Sequence, residues 1–182
     1  MNDCVVIAVA NQNGGVGKTT TTFSLGVALS KLGKKVLLVN ADPQADLTTC
    51  MGFYNQYDIP IIISELMEYS ISDKPINSRE AILHHTGKVD LIPSNPNFST
   101  MEMKLINAMS REHTMKRCLS DLKRDYDYII IDCMPLLCMI TVNALACADE
   151  VVIPVQSHYL AAKGIGENLL NTISRHLNLI YR

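Results

Sequence analysis

Five stretches of the chain are almost continuously apolar: Val5–Ala10, Lys35–Asn40, Val89–Pro93, Tyr128–Cys133 and Val151–Val155. Runs such as VVIAVA, VLLV, YIII and VVIPV lack the polar alternation of a strand with one wet face. They predict strands covered on both faces, the habit of a parallel sheet flanked by helices. Between them apolar positions recur at helical spacing. Thr19–Leu32 predicts a helix carrying Phe23, Leu25, Val27, Ala28 and Leu32 and stopped by Gly33. Helices are also expected over Glu102–Ser110, Thr114–Lys123 and Leu160–Leu177, with a shorter one around Ser64–Tyr69. Ile76–His85 reads as a further helix, ending in His84-His85 where histidine favours the dipole. The stretch Phe53–Pro75 is the least regular. Strands alternating with helices, without repeat or linker, predict one α/β domain over residues 1–182.

Composition agrees with that picture and narrows it. Of 182 residues, 48% are apolar and 19% charged, which excludes a wholly disordered chain. A net charge of −2 excludes a globally basic nucleic-acid binder, though not a local basic patch. Lys116-Arg117 and Lys123-Arg124 form one small basic face, a kind more often solvated than bound to nucleic acid. Cys4, Cys50, Cys118, Cys133, Cys138 and Cys147 include no C-x-x-C pair, and buried reduced thiols are expected. The methionines at 101, 103, 109 and 115 are expected as core or interface filler. The opening MNDCVVIAVA has neither a basic n-region nor a small-residue cleavage site, so no signal peptide is expected. No apolar stretch reaches the ~18 residues of a membrane helix, and the tail HLNLIYR is too short for an amphipathic anchor. A cytoplasmic protein without membrane contact is expected.

The first strand runs directly into Asn11-Gln12-Asn13-Gly14-Gly15-Val16-Gly17-Lys18-Thr19-Thr20, and a helix follows. Glycines in such a turn let successive backbone N–H groups face phosphate oxygens, and the helix N-terminus adds its positive end. Lys18 would then reach the β- and γ-phosphates, and the Thr19 hydroxyl would sit on Mg²⁺. An ordinary glycine-rich turn is the alternative; the strand before and the helix after argue against it.

Gln12 stands where the strict P-loop pattern has its first glycine. The run GGVGKTT resembles instead the deviant P-loop of the ParA/MinD group of ATPases. Val36–Gln44 followed by Asp46-Leu47-Thr48 is similar to that group's second motif. Tyr126–Cys133 with Pro135 is similar to its Walker B strand. Thr141–Leu145 and Ala148–Gln156, with Tyr159 and Gly164, resemble the ParA/Soj branch in particular. The resemblance implies a P-loop NTPase fold, α/β, with a mostly parallel twisted sheet and helices on both faces. It implies that Asn13, Gly14, Gly15, Val16, Gly17, Lys18, Thr19 and Thr20 cradle ATP or ADP. It implies that Thr19 and Asp132 hold Mg²⁺ and that Asp42 orients or deprotonates the attacking water. In this family two subunits sandwich two ATP molecules, the homodimer binds DNA without sequence preference, and a ParB/Spo0J-like partner stimulates hydrolysis during plasmid or chromosome partitioning. Asp42 and Asp132 each close an apolar strand, and the carboxyl ends of parallel strands are where α/β ligands bind.

Three departures from the family pattern stand out. Asn13 replaces the signature lysine that crosses to the partner's nucleotide. On arginine-finger magnitudes, a lost cation of that kind lowers turnover by about 10³-fold. Asn40 replaces an Asp two residues before Asp42. One lost positive and one lost negative charge leave the local net charge unchanged, so Asn13→Lys is expected to restore less than Asn13→Lys with Asn40→Asp. The family domain also runs on past the position of Arg182, so its C-terminal part, with adenine contacts and a basic DNA surface, is expected to be lacking. Met134 replaces the first proline after the Walker B strand. These departures leave open a non-hydrolysing nucleotide switch. A nitrogenase-iron-protein-like role, suggested by Asp42-Pro43-Gln44-Ala45-Asp46 and Cys138, lacks its second cysteine in Ser94–Thr100.

Overall fold

The computed structural model describes residues 4–75, 77–85 and 88–156. In chain order the elements are β1 (Val5–Val9), α1 (Lys18–Lys31), β2 (Val36–Ala41), α2 (Asp46–Cys50), α3 (Ile63–Ile71), β3 (Leu83–His84), β4 (Val89–Ile92), α4 (Met101–Ile106), α5 (Thr114–Leu119), β5 (Tyr128–Cys133), α6 (Met139–Cys147) and β6 (Glu150–Val152). They form one six-stranded sheet in the order β3-β4-β2-β5-β1-β6. Every pairing is parallel except β3 with β4. The expected mostly parallel α/β sheet is what forms.

Both faces are covered, as the unalternating strands require. Leu37, Val39, Ile129 and Ile131 pack with residues of α3 to α6, while Val36, Leu38, Ile130 and Val9 pack with α1 and α2. Helix α1 meets the sheet differently from its apolar pattern. Its buried stripe is Lys18, Thr22, Gly26 and Ser30, at i+4 spacing; Phe23, Leu25 and Val27 are half-buried, and Leu32 is 76% exposed. The small residues let the helix come close: a methyl group at Gly26 would lie 2.8 Å from Leu38 Cδ2.

The expected helix over Ile76–His85 is not there. Ser78–Ala81 makes a single 3₁₀ turn, and Leu83–His84 is an antiparallel edge strand on β4. Pairing across the sheet edge outweighs local propensity, and His84 Nδ1 lies 2.9 Å from Asp90 Oδ1. Other boundaries shift. Helix α4 stops at Ile106, and Ser110 takes a left-handed conformation (φ 48°). Helix α5 gives way at Ser120 to a 3₁₀ turn reaching Arg124. Strand β6 ends at Val152, before Pro154, which has no N–H for a ladder. Helix α6 was not legible by periodicity, because Ile140–Cys147 is buried on all sides. Its first N–H groups are capped from outside, those of Met139 and Ile140 donating to Glu102 of α4 at 2.9 and 3.2 Å. The expected helix Leu160–Leu177 lies outside the described residues. No helix among the described residues is long and apolar enough to cross a membrane.

Candidate active site

The parallel strands bring Asn11, Asp42 and Asp132 to one edge of the sheet, just past or at the carboxyl ends of β1, β2 and β5. The turn from β1 to α1 needs glycine at two places, Gly15 at φ 70° and Gly17 at φ 89°. Among the described residues, and chain neighbours apart, no atom lies within 4 Å of where a Cβ would stand on Gly14, Gly15 or Gly17. That face of the turn presents backbone to open space, and α1 starts there with no side-chain cap of its own. The first N–H groups of a helix have no partner within the helix, and such a terminus suits an anion.

Two side chains fix the turn from outside. The buried Asn11 donates from Nδ2 to the Pro154 carbonyl at 2.9 Å, and its Oδ1 accepts the Asn13 N–H at 2.9 Å. Gln156 Nε2 donates to the Gly15 carbonyl at 3.1 Å. Lys18 is buried, and its Nζ donates to the Asn13 carbonyl at 2.9 Å. The Asn13 side chain is exposed, Val16 is half-buried, and Thr20 is exposed.

Below the turn, Thr19 Oγ1 donates to Asp132 Oδ2 at 2.8 Å, and Thr22 Oγ1 approaches Asp132 Oδ1 at 3.4 Å. Asp132 is 1% exposed. Burial pushes its carboxyl up to about 7; the Thr19 hydrogen bond opposes this and the neighbouring Asp42 charge adds to it. Asp42 is also raised, chiefly by burial, against the Gln44 N–H that donates to its Oδ1 at 2.9 Å. Burial lowers Lys18, while Asp132 and Asp42 pull it back up. One ammonium thus shares the site with two carboxylates, and the Asp42 charge disfavours ionisation of Asp132. A hydroxyl beside a carboxylate that resists its charge is a fitting oxygen pair for a divalent cation such as Mg²⁺, which takes few protein ligands and completes its shell with phosphate and water.

The structure therefore gathers Lys18, Thr19, Asp42 and Asp132 around the glycine turn. The sequence motifs assign no individual role to Asn11, Thr22 or Gln156. The first two carried a signal: a short amide just after a strand favours an Asx turn, and T-x-x-T puts both hydroxyls on one helix face. Gln156 showed only as the last residue of the Ala148–Gln156 block. His158, Tyr159 and Gly164 lie outside the described residues. Among the described residues, a concavity of about 990 Å³ lies at the opposite, amino ends of β1 and β5. Two of its cations are paired locally, Lys123 with Asp149 at 3.5 Å and Arg124 with Asp121 at 2.7 Å. Arg117 is likewise turned onto Ser70 at 2.9 Å. The cysteines are free: Cys4, Cys118, Cys133 and Cys147 are buried as expected, and Cys50 is exposed.

A glycine turn between the first strand and first helix, with a lysine, a threonine and two strand-end carboxylates around it, defines a P-loop nucleotide-binding protein. Residues 4–179 match the family model of an AAA domain. The sporulation initiation inhibitor protein Soj of Bacillus subtilis (strain 168) is 40% identical over 176 residues, 95% of this chain and 67% of that protein. The chromosome partitioning protein ParA of Myxococcus xanthus (strain DK1622) is 38% identical over 170 residues, 92% of this chain and 57% of that one. A crystal structure of cobyrinic acid a,c-diamide synthase from Mycobacterium smegmatis, with bound ATP analog and magnesium, superposes with a TM-score of 0.86 at 38% identity, over 94% of this chain and 68% of that chain. The chain belongs to the ParA/Soj family of P-loop ATPases. It spans from 49% to 67% of the length of such curated relatives.

Proposed function

We propose that this chain, as a single P-loop domain, binds Mg-ATP and hydrolyses it slowly in a plasmid or chromosome partitioning cycle. The observation that carries the reading is the Thr19–Asp132 pair set directly beneath the glycine turn, with Lys18 and Asp42 beside it. Gly14, Gly15, Val16 and Gly17 turn backbone N–H groups toward the triphosphate, Asn13 and Thr20 border it, and Lys18 exchanges its Asn13 carbonyl for phosphate oxygens. Thr19 and Asp132 hold Mg²⁺. Bound there, the ion would supply positive charge against the phosphate oxygens. Asp42 positions the attacking water, and its raised proton affinity suits it to accept that water's proton as the water oxygen bonds to the γ-phosphorus and the bond to the departing ADP breaks. An ATP-sandwich homodimer, non-specific DNA binding and a ParB/Spo0J-like partner complete the proposal, supported by the partitioning relatives.

A second reading, a nucleotide-gated switch that does not turn over, is favoured by the neutral, exposed Asn13. Both readings require the same site, so calorimetric titration with ATP tests it first. Affinity should depend on Mg²⁺ and fall about tenfold or more in Lys18→Ala and in Thr19→Ala, each removing a charged or charge-assisted contact. Equal affinity in those variants would refute nucleotide binding at this turn.

A further inference from the structure

Asn40, near the end of β2, is 0% exposed and spends one end of its amide on the turn that carries Asp42 and the other on α2. Its Oδ1 accepts the Asp42 N–H at 3.1 Å, and its Nδ2 donates to Thr48 Oγ1 of α2 at 2.9 Å. The orientation is dictated by chemistry: a backbone N–H can only donate, so the oxygen must face Asp42 and the NH₂ must face Thr48. Thr48 Oγ1 also accepts the Ser94 N–H at 3.1 Å, which fills its acceptor capacity, and its own proton points to the Ser94 carbonyl at 3.4 Å. Asn40 stands in register beside Asp132 of β5. A single buried chain of hydrogen bonds therefore ties the Asp42 turn, α2 and the segment after β4 together beside Asp132.

We infer that Asn40 is a positioning residue that sets the placement of Asp42 through this chain, and that Thr48 and Ser94 belong to the same unit. The inference rests on the proposed role of Asp42 in orienting water. Asn40 touches neither nucleotide nor water; it acts by holding the backbone of the residue that does. Its neutrality also matters. An Asp at 40 keeps an acceptor for the Asp42 N–H, but it draws the Thr48 proton away from Ser94 and sets a second buried charge beside Asp132. Alanine keeps neither tie.

The test compares the 182-residue chain with Asn40→Ala, Asn40→Asp and Thr48→Val by backbone amide exchange and by ATP hydrolysis with Mg²⁺. In Asn40→Ala, exchange at residues 42–48 and 94–95 should rise about tenfold while β1 and β5 keep theirs. Turnover should fall about tenfold with KM for ATP within about twofold, as for a misplaced catalytic group. Asn40→Asp should recover protection at Asp42 and most of the turnover, and Thr48→Val should fall between. In an Asp42→Ala background, Asn40→Ala should remove nothing further. Unchanged exchange at Asp42 and Ser94 in Asn40→Ala overturns the inference, with or without measurable turnover. So does a turnover loss that adds fully to that of Asp42→Ala, because that marks a general packing role. If Asp42→Ala itself leaves turnover intact, the role of Asp42 fails; the exchange result then decides the hydrogen-bond chain by itself.

Discussion

Asp132 is costly to keep. Its carboxyl, raised from an ordinary 3.8 to about 7 by burial, holds a proton in the folded chain over a pH range where the unfolded chain has released it. The folded state thus binds more protons between about pH 4 and 7, and stability falls as pH rises through that window. At ~1.4 kcal/mol per unit, the loss is on the order of a few kcal/mol. Without Mg²⁺ and nucleotide, thermal melts should show lower midpoints at pH 7 than at pH 5. Asp132→Asn should flatten that slope and raise the midpoint at neutral pH, while abolishing Mg²⁺-dependent ATP binding. Asn13 and Asn40 differ in setting, one exposed and one fully buried with its amide on Thr48. Coupling through net charge predicts that Asn13→Lys with Asn40→Asp gains more turnover than the two single changes multiplied together. A double-mutant cycle with simply additive effects would exclude it.

At the scale of elements, the close seat of α1 on β2 makes a prediction that its apolar pattern would reverse. Gly26→Val puts branched bulk 2.8 Å or less from the buried Leu38 and should cost about 2 kcal/mol by overpacking. Leu32→Ala, at an exposed position, should stay within about 0.5 kcal/mol. Chemical denaturation of both variants checks the pair. The same helix marks the limit of periodicity as a guide. Its extent was legible from Thr19 to Gly33, but not its buried face, because small and polar residues face the sheet where backbones approach closely. Strands were legible because two-sided burial leaves uninterrupted apolar runs. Ile76–His85 was misread because a sheet edge, a tertiary partner, decides its conformation. Helix α6 escaped notice because complete burial erases amphipathic contrast. The candidate phosphate-binding residues stood out in the sequence because phosphate chemistry demands a fixed order of glycines, Lys18 and Thr19; Asn11 showed only its local turn, and its tie to Pro154, like that of Gln156 to Gly15, acts across the fold.

For the molecule as a whole, the parallel order β4-β2-β5-β1-β6 draws residues over a hundred positions apart to one edge, and Thr19 meets Asp132 there because α1 and β5 flank the same strand. The family membership is settled by residues 4–179, while catalysis turns on whether this arrangement suffices without a lysine at position 13. The most direct measurement is ATP turnover by the chain with Mg²⁺ and DNA, against Lys18→Ala as background. Turnover above that background, falling to it in Asp42→Ala, is the expected result. Tight Mg-ATP binding with turnover no higher than Lys18→Ala would contradict hydrolysis and leave a nucleotide-gated switch.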